Sequence, residues 1–363
     1  MKRFFFLVLV LLLAGCRTVV EPSPYSEGMK FRRLFSWNVP PNKEEGFERC
    51  AQAGVTDIVV HSRQQFDWAV KYGMTPYWRI FTPVGPHRQV MSSEEEKHYA
   101  YINGHDIDKT RPQAERMAEI HRRRREVSHQ YGGEYEAEID TINNASIPCF
   151  LSDDGLVLSK QKIDTLLKDV PQDAAGMFLD YFGYMNHHGC YCESCLKRYG
   201  EYLKEHGLED LQKSKDEFYR QQLVGYYDGI IGYIKSKHPE FKIVAHFYPD
   251  FKPDHLFGNR TKVDYCGQTV AWYFRWPSAK IRKYTKYVID HAKDYYPFAE
   301  GIPFVGLNTN AESSLGFKTP AELEAEFKEI LAAGGRTLMI CDGRCIVEPN
   351  YFEVFRKYCG KEE

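Results

Sequence analysis

The sequence predicts an α/β fold of one kind, a closed (β/α)8 barrel with a long insertion after its third strand. Three observations predict it. Short apolar runs alternate with amphipathic helical stretches eight times along the chain. Polar or aromatic residues stand where the apolar runs stop, which is where barrel enzymes put their chemistry. The connection after the first run reads Trp37-Asn-Val-Pro40 and has no glycine-rich phosphate loop. That disfavours the open, doubly wound sheet that shares the same alternation.

The elements follow in order. Residues 33–38 are the first expected strand, with a helix over about 42–53 after it. The second strand covers 57–61, and its helix carries Phe66, Ala69 and Val70 until Gly73 ends it. Residues 75–81 make the third strand. A polar excursion over about 82–146 follows, too long for a plain connection and read as a subdomain over the active face. Its basic run, His121 to Arg125, reads as a solvated helix face. A helix over 158–170 precedes the fourth strand, whose apolar core is 177–179. Residues 193–238 read as one long, broken helix. The fifth strand is 242–248, the sixth begins at 263–268 and leads to 271–273, the seventh is 302–308 and the eighth 336–342. Helices over about 278–293, 320–332 and 350–358 complete the alternation.

A formal net charge of −2 over 363 residues gives no electrostatic case for nucleic acid. The 15% aromatic content supplies core and, where rings are exposed, faces for stacking on sugars. The chain opens Met1-Lys2-Arg3 and runs apolar from Phe4 to Leu13, a basic stretch and a hydrophobic one too short to span a bilayer. The next residues, Leu13-Ala14-Gly15-Cys16, resemble the lipobox of bacterial lipoproteins. That resemblance implies cleavage before Cys16, lipidation of its thiol and an exported protein held at a membrane. Arg17 follows the cysteine in place of the Asp linked with inner-membrane retention, which points to the outer membrane. Residues 1–16 are then the signal, 17–30 a tether containing Pro22 and Pro24, and 31–360 a single barrel domain.

Nine cysteines remain beyond Cys16, an odd number that cannot all pair within one chain. Cys190, Cys192 and Cys195 crowd one loop and the first turn of the next helix. Three soft ligands so close suit a tetrahedral zinc ion, which needs a fourth. Cys149, in the loop after strand three, is the natural fourth. His187 or His188 could replace one thiol, and a disulfide from Cys149 to one of the three is the competing arrangement. Four thiolates would close the coordination shell and make the ion structural.

The strand ends supply the other candidates: Trp37, His61, Arg79, Asp180 with Tyr181, His246 and Tyr248 with Asp250 beyond, Gln268, Trp272, Asn308 and Asp342. Trp37, Trp78 and Trp272 offer platforms for sugars or packing against the loops above them. His61 and His246 offer acid–base groups or hydrogen-bond donors. Cleaving a glycosidic bond commonly takes two carboxyl groups. Asp180 follows an apolar strand and precedes a glycine-bearing loop, which makes it the first candidate; Asp342 and Asp250 compete for the second place. Each could instead cap a helix or pair with a nearby arginine. Glu300 falls before strand seven, at the opposite end.

Residues 147–204 carry a family resemblance. Cys190-Tyr-Cys192-Glu-Ser-Cys195, the helical 196–203 after it and Cys149 upstream resemble the zinc loop of the glycoside hydrolase family 42 β-galactosidases. The resemblance implies a TIM barrel, a glycosidase acting on carbohydrate, and structural zinc on those four cysteines. That family has an Asn-Glu pair at the end of strand four, whereas this chain has Leu179-Asp180. The family nucleophile is a Glu at the end of strand seven, whereas this chain reads Leu307-Asn-Thr-Asn310. The retaining β-galactosidase mechanism therefore does not carry over. Three classes stay open: a glycosidase with a different carboxylate pair, a carbohydrate-binding barrel without hydrolysis, and a non-sugar barrel hydrolase using the strand-end histidines.

Overall fold

Eight parallel strands close on themselves in sequence order, with the last pairing to the first. In this computed structural model the described residues are 25–41, 43–130, 148–152, 154–180, 184, 189–247, 257–273, 276–311 and 317–360. The strands are β1 (Arg33–Ser36), β2 (Asp57–Val60), β3 (Thr75–Phe81), β4 (Gly176–Leu179), β5 (Lys242–Phe247), β6 (Tyr265–Ala271), β7 (Glu300–Gly306) and β8 (Thr337–Cys341). All eight expected strands are present, most of them shorter at the C-terminal end than the apolar pattern suggests. The sixth runs unbroken through Ala271.

The helices of the outer layer are α1 (Glu44–Gln52), α2 (Arg63–Lys71), α3 (Ser93–Ile102), α4 (Gln113–Gln130), α5 (Gly155–Leu167), α6 (Glu193–His206), α7 (Gln212–Lys237), α8 (Ser278–Asp290), α9 (Pro320–Ala332), α10 (Gly343–Ile346) and α11 (Pro349–Cys359). Their starts are written in side chains that accept the free N–H groups of a first turn. Ser62 caps α2, while Ser92 with Glu95 and Thr319 with Glu322 form reciprocal boxes on α3 and α9. The long helix expected after β4 breaks at Gly207, whose φ of +61° stops α6 before α7 begins. Inside the expected insertion α3 and α4 pack on each other. Arg123 of the basic run pairs with Glu119 at 3.0 Å and with Asp106, so this part of the run is tied within its own helix pair.

The barrel interior is filled in the manner of a core. Near its N-terminal end Phe35, Tyr77 and Tyr265 meet with ring centroids 5.4–6.3 Å apart. Arg33 lies over Phe35 and Tyr265 and pairs with Asp57 at 2.7 Å. Gly267 leaves room for Met339, since a Cβ there would stand 2.8 Å from its sulfur. Glu300 opens β7 and accepts from Thr337 Oγ1 at 2.6 Å, at the end of the barrel away from the catalytic-type loops.

One buried ion pair braces the connection after β7. Lys318 is fully buried, and its Nζ donates to the Gly306 carbonyl at 2.9 Å and to Glu326 Oε2 at 2.7 Å. Removing one member strands the other charge without water. Lys318→Met is therefore expected to cost about 3–5 kcal/mol in urea unfolding, and Lys318→Met/Glu326→Leu to recover part of it. A single substitution as stable as wild type would show that the pair carries no such cost.

Candidate functional site

Five predicted residues, Trp37, His61, Asp180, Trp272 and Asp342, are each the first residue beyond their strand. Strand closure therefore brings β1, β2, β4, β6 and β8 to a common rim. Asp180 is half-buried, and its backbone N–H donates to the Phe81 carbonyl at 3.0 Å. Asp342 is the first residue past Cys341. Burial raises the Cys341 thiol first, the Tyr273 hydroxyl opposes it, and the charges of Asp342 and then Asp180 raise it further. One thiol thus senses the carboxylates from β4 and β8 together. Tyr273 Oη stands 2.9 Å from Cys341 Sγ on the same rim. The sequence reading passed over Tyr273 and Cys341; the only available signal was their position, next to Trp272 and Asp342.

Asp342 adopts φ +80°, a conformation rarely held by residues with a Cβ. Its side chain caps α10 by accepting from the Arg344 N–H at 3.1 Å. Both carboxylate oxygens also accept from Arg344 Nε at 3.0 Å. Gly343 follows because a Cβ there would stand 2.1 Å from the Asn38 carbonyl. The geometry thus gives Asp342 the capping and arginine-pairing role as well as its seat on the rim.

Other candidates sit differently. Gln268 is fully buried within β6 and donates from Nε2 to Asn259 Oδ1 at 3.3 Å. It stands within the strand, three residues before its end, and not at the strand end where the sequence pattern places it. His246 is also buried, stacked 3.6 Å from the Phe304 ring centroid and bonded through Nε2 to Thr269 Oγ1 at 3.1 Å. Trp272 lies parallel to the His246 ring and is 5% exposed, so it is packed and not a free platform. Trp78 is buried beneath Phe66. Arg79 sits at a bulge in β3 with φ +37°, and its guanidinium reaches Asp169 at 3.6 Å. That draws it toward the helix layer, with its charge still felt at His61. Asn308 lies two residues past β7, where its Oδ1 accepts from the Asn310 N–H at 3.0 Å. His61 remains half-buried at its strand end, and burial and then the Arg79 charge lower its pKa. Trp37 is half-buried with an indole N–H that has no partner among the described residues. Tyr181, Tyr248, Asp250, His187, His188 and Cys16 lie outside the described residues.

Burial alone holds the His246 pKa down at about 3, so its imidazole is neutral at pH 7 and does not serve as a general acid there. The folded value lies below the ordinary value of about 6.5, so the unfolded chain takes the proton first. Stability is full above that value and falls as pH drops toward 3, by about 1.4 kcal/mol per pH unit. His246→Leu is expected to flatten this acid limb in denaturant titrations between pH 7 and 5. An unchanged slope would refute the assignment.

The four predicted cysteines come together. Cys149, Cys190, Cys192 and Cys195 are all buried, and their sulfurs lie within 4.8 Å of one another. Cys149 Sγ is 3.5 Å from Cys195 Sγ and 3.8 Å from Cys192 Sγ, far beyond a disulfide bond. Zinc–sulfur bonds of about 2.3 Å put tetrahedral ligand sulfurs roughly 3.8 Å apart. The donor set and its spacing therefore fit one tetrahedral metal ion. Three segments build the site. Cys192 caps α6, which puts Cys195 in its first turn. The Cys149 N–H donates to the His87 carbonyl at 2.7 Å, and the Tyr191 N–H to Val90 at 2.9 Å. The Val90 N–H points at Cys190 Sγ, 3.5 Å away. Bonds from Cys149 and Cys195, then the backbone N–H groups of Val90 and Cys192, hold Cys190 below the ordinary thiol range, while sharing with Cys190 pushes Cys149 up.

No family model matches the chain, and no curated protein matches it. Solved structures do. An α-L-fucosidase isoenzyme 2 from Paenibacillus thiaminolyticus aligns at TM-score 0.53 and 14% identity, over 91% of this chain and 49% of that one. The PgaB (BpsB) glycoside hydrolase domain from Bordetella bronchiseptica aligns at TM-score 0.53 and 8% identity, over 92% of this chain and 100% of that one. A β-galactosidase from Bacillus circulans sp. alkalophilus aligns at TM-score 0.51 and 11% identity, over 93% and 56%. The chain spans about half the length of the fucosidase and of the galactosidase it matches. At these identities the likeness establishes the architecture: this chain has the (β/α)8 barrel on which those glycosidases are built.

Proposed function

We propose that this chain is a glycoside hydrolase working on carbohydrate at the C-terminal mouth of its barrel. The observation that carries the reading is the seat of Asp180, the first residue beyond β4, on the same rim as Asp342, the first residue beyond β8. Asp180 acts as the general acid/base or nucleophile. Asp342 or Asp250 supplies the partner carboxylate. Trp37, half-buried on the rim and with no indole N–H partner among the described residues, suits a sugar face. His61, neutral when its pKa is lowered, suits hydrogen bonding to hydroxyls.

Cys149, Cys190, Cys192 and Cys195 hold a zinc ion in this reading. With four thiolates the ion has no open position, so it supplies no activated water and instead ties the loops after β3 and β4 together. The chain is exported and lipid-anchored at Cys16, and the insertion stands over the mouth as a subdomain.

A second reading is supported by a specific feature. Asp342 is clamped by Arg344, and the described residues after β7 are Leu307, Asn308, Thr309, Asn310 and Ala311, none of them a carboxylate. Those features suit a barrel that binds carbohydrate without cleaving it. The experiment is a screen of oligosaccharides for both hydrolysis and binding, with wild type and Asp180→Asn side by side. Turnover lost in the variant supports the hydrolase; binding without turnover in both supports the binding protein; neither refutes both.

A further inference from the structure

We infer that the N-terminal end of the barrel, around the turn that joins α8 to β7, lies on the surface of an anionic lipid bilayer, so that the mouth faces away from the membrane. This rests on the lipid anchor at Cys16 and adds to it an orientation and a contact surface. Eight residues separate Cys16 from Tyr25, the first described residue. A fully extended chain of that length reaches no further than about 30 Å. The chain then enters the barrel at its N-terminal end. The Phe31 N–H donates to the Tyr358 carbonyl at 2.8 Å, and the Arg32 N–H to the Arg336 carbonyl at 2.7 Å, before β1 begins.

Arg336 also lines a cleft of about 550 Å3 on that end, with Lys293, Ala292, Phe298, Glu300 and Pro303. The turn beside it carries the most exposed large apolar side chain among the described residues. Phe298 is 74% exposed and Tyr295 is 55% exposed, and Tyr296 meets Phe298 edge-on at 5.4 Å. Two cations lie over these rings: Arg260 stands 4.8 Å over Tyr295, and Lys235, which also pairs with Asp264 at 2.8 Å, stands 5.8 Å over Tyr296. Exposed aromatics beside Lys and Arg suit the headgroup layer, where rings sit at the interface and cations meet lipid phosphates. In water the same rings would gain nothing from their exposure. No described helix is long and apolar enough to cross a membrane, so this surface lies on the bilayer and does not enter it as a span.

The full chain, matured in a bacterial host, is reconstituted in vesicles of phosphatidylethanolamine and phosphatidylglycerol. It carries a photoreactive residue as Phe298→p-benzoylphenylalanine or, at the mouth end, as Phe317→p-benzoylphenylalanine. Phe317 is a fair control because it is 39% exposed and adjoins Lys318, which bonds to the last residue of β7. The expected result is a lipid adduct from position 298 and its loss at position 317, with Cys16 found acylated by mass spectrometry. Acylated Cys16 with adducts at 317 alone, or at neither position, overturns the orientation and leaves the anchor standing. Crosslinked dimers in place of lipid adducts at 298 overturn it in favour of a second copy of the chain. An unmodified Cys16 overturns the anchor and this inference together.

Discussion

Asp180→Asn is expected to lower turnover of a cleaved glycoside by roughly 10²–10⁴-fold, the usual contribution of a positioned acid or base. At about 1.4 kcal/mol per decade this removes about 3–6 kcal/mol of transition-state stabilisation. The fold should tolerate it. Asp180 is half-buried at the rim, its backbone N–H keeps its bond to Phe81, and Asn preserves its shape. Unfolding midpoints of the two proteins should therefore nearly coincide while rates separate. Asp342→Asn tests the partner differently. Its carboxylate caps α10 and binds Arg344, so a purely structural Asp342 would lose stability without a matching loss of turnover per folded molecule. Equal turnover by wild type and Asp180→Asn would exclude Asp180 as the acid and with it the proposed chemistry.

The second large effect concerns the metal. Purified protein is expected to contain one zinc per chain, and Cys149→Ser to lose it. Cys149 joins the segment after the insertion to the loop that carries the other three thiols. Without the ion those buried sulfurs lose their common centre, and folding free energy falls with the metal-binding energy. A loss of more than about 4 kcal/mol is expected in urea unfolding, reproduced by a strong chelator acting on wild type. Cys50→Ser is the control, since Cys50 is equally buried and stands outside the cluster. It should keep its zinc. Protein without zinc, whose cluster thiols are found as disulfides, would refute the assignment. Because the proposed ion is structural, Cys149→Ser protein that remains folded should keep measurable turnover, whereas Asp180→Asn should not.

The eight strands were legible because parallel strands buried on both faces are apolar runs, such as 177–179 in β4 and Ile58 to Val60 in β2. A helix end was legible where its stop is local chemistry, as at Gly73. The cysteine cluster was legible because three of its members crowd one loop and the first turn of the next helix; the fourth, 41 residues upstream of Cys190, was placed by its loop in the expected barrel and then by resemblance.

The side chains within strands were less legible, for one physical reason. The facing of a strand residue follows a period of two, and one irregular residue reverses everything after it. β3 shifts register between Trp78 and Ile80, which turns Arg79 toward Asp169. β6 shifts between Thr269 and Ala271, just before Trp272. The apolar run to 248 puts His246 near a strand end, but in the fold it lies buried within β5, under Trp272 and against Phe304. Local pattern decided which elements form, in what order, and which residues end the strands. Closure of the sheet decided the rest: that Asp180 and Asp342 share a rim, that Lys318 finds Glu326, and that Gln268 is sealed in the wall. Those outcomes depend on distances between residues far apart in the chain, and such distances are set by packing.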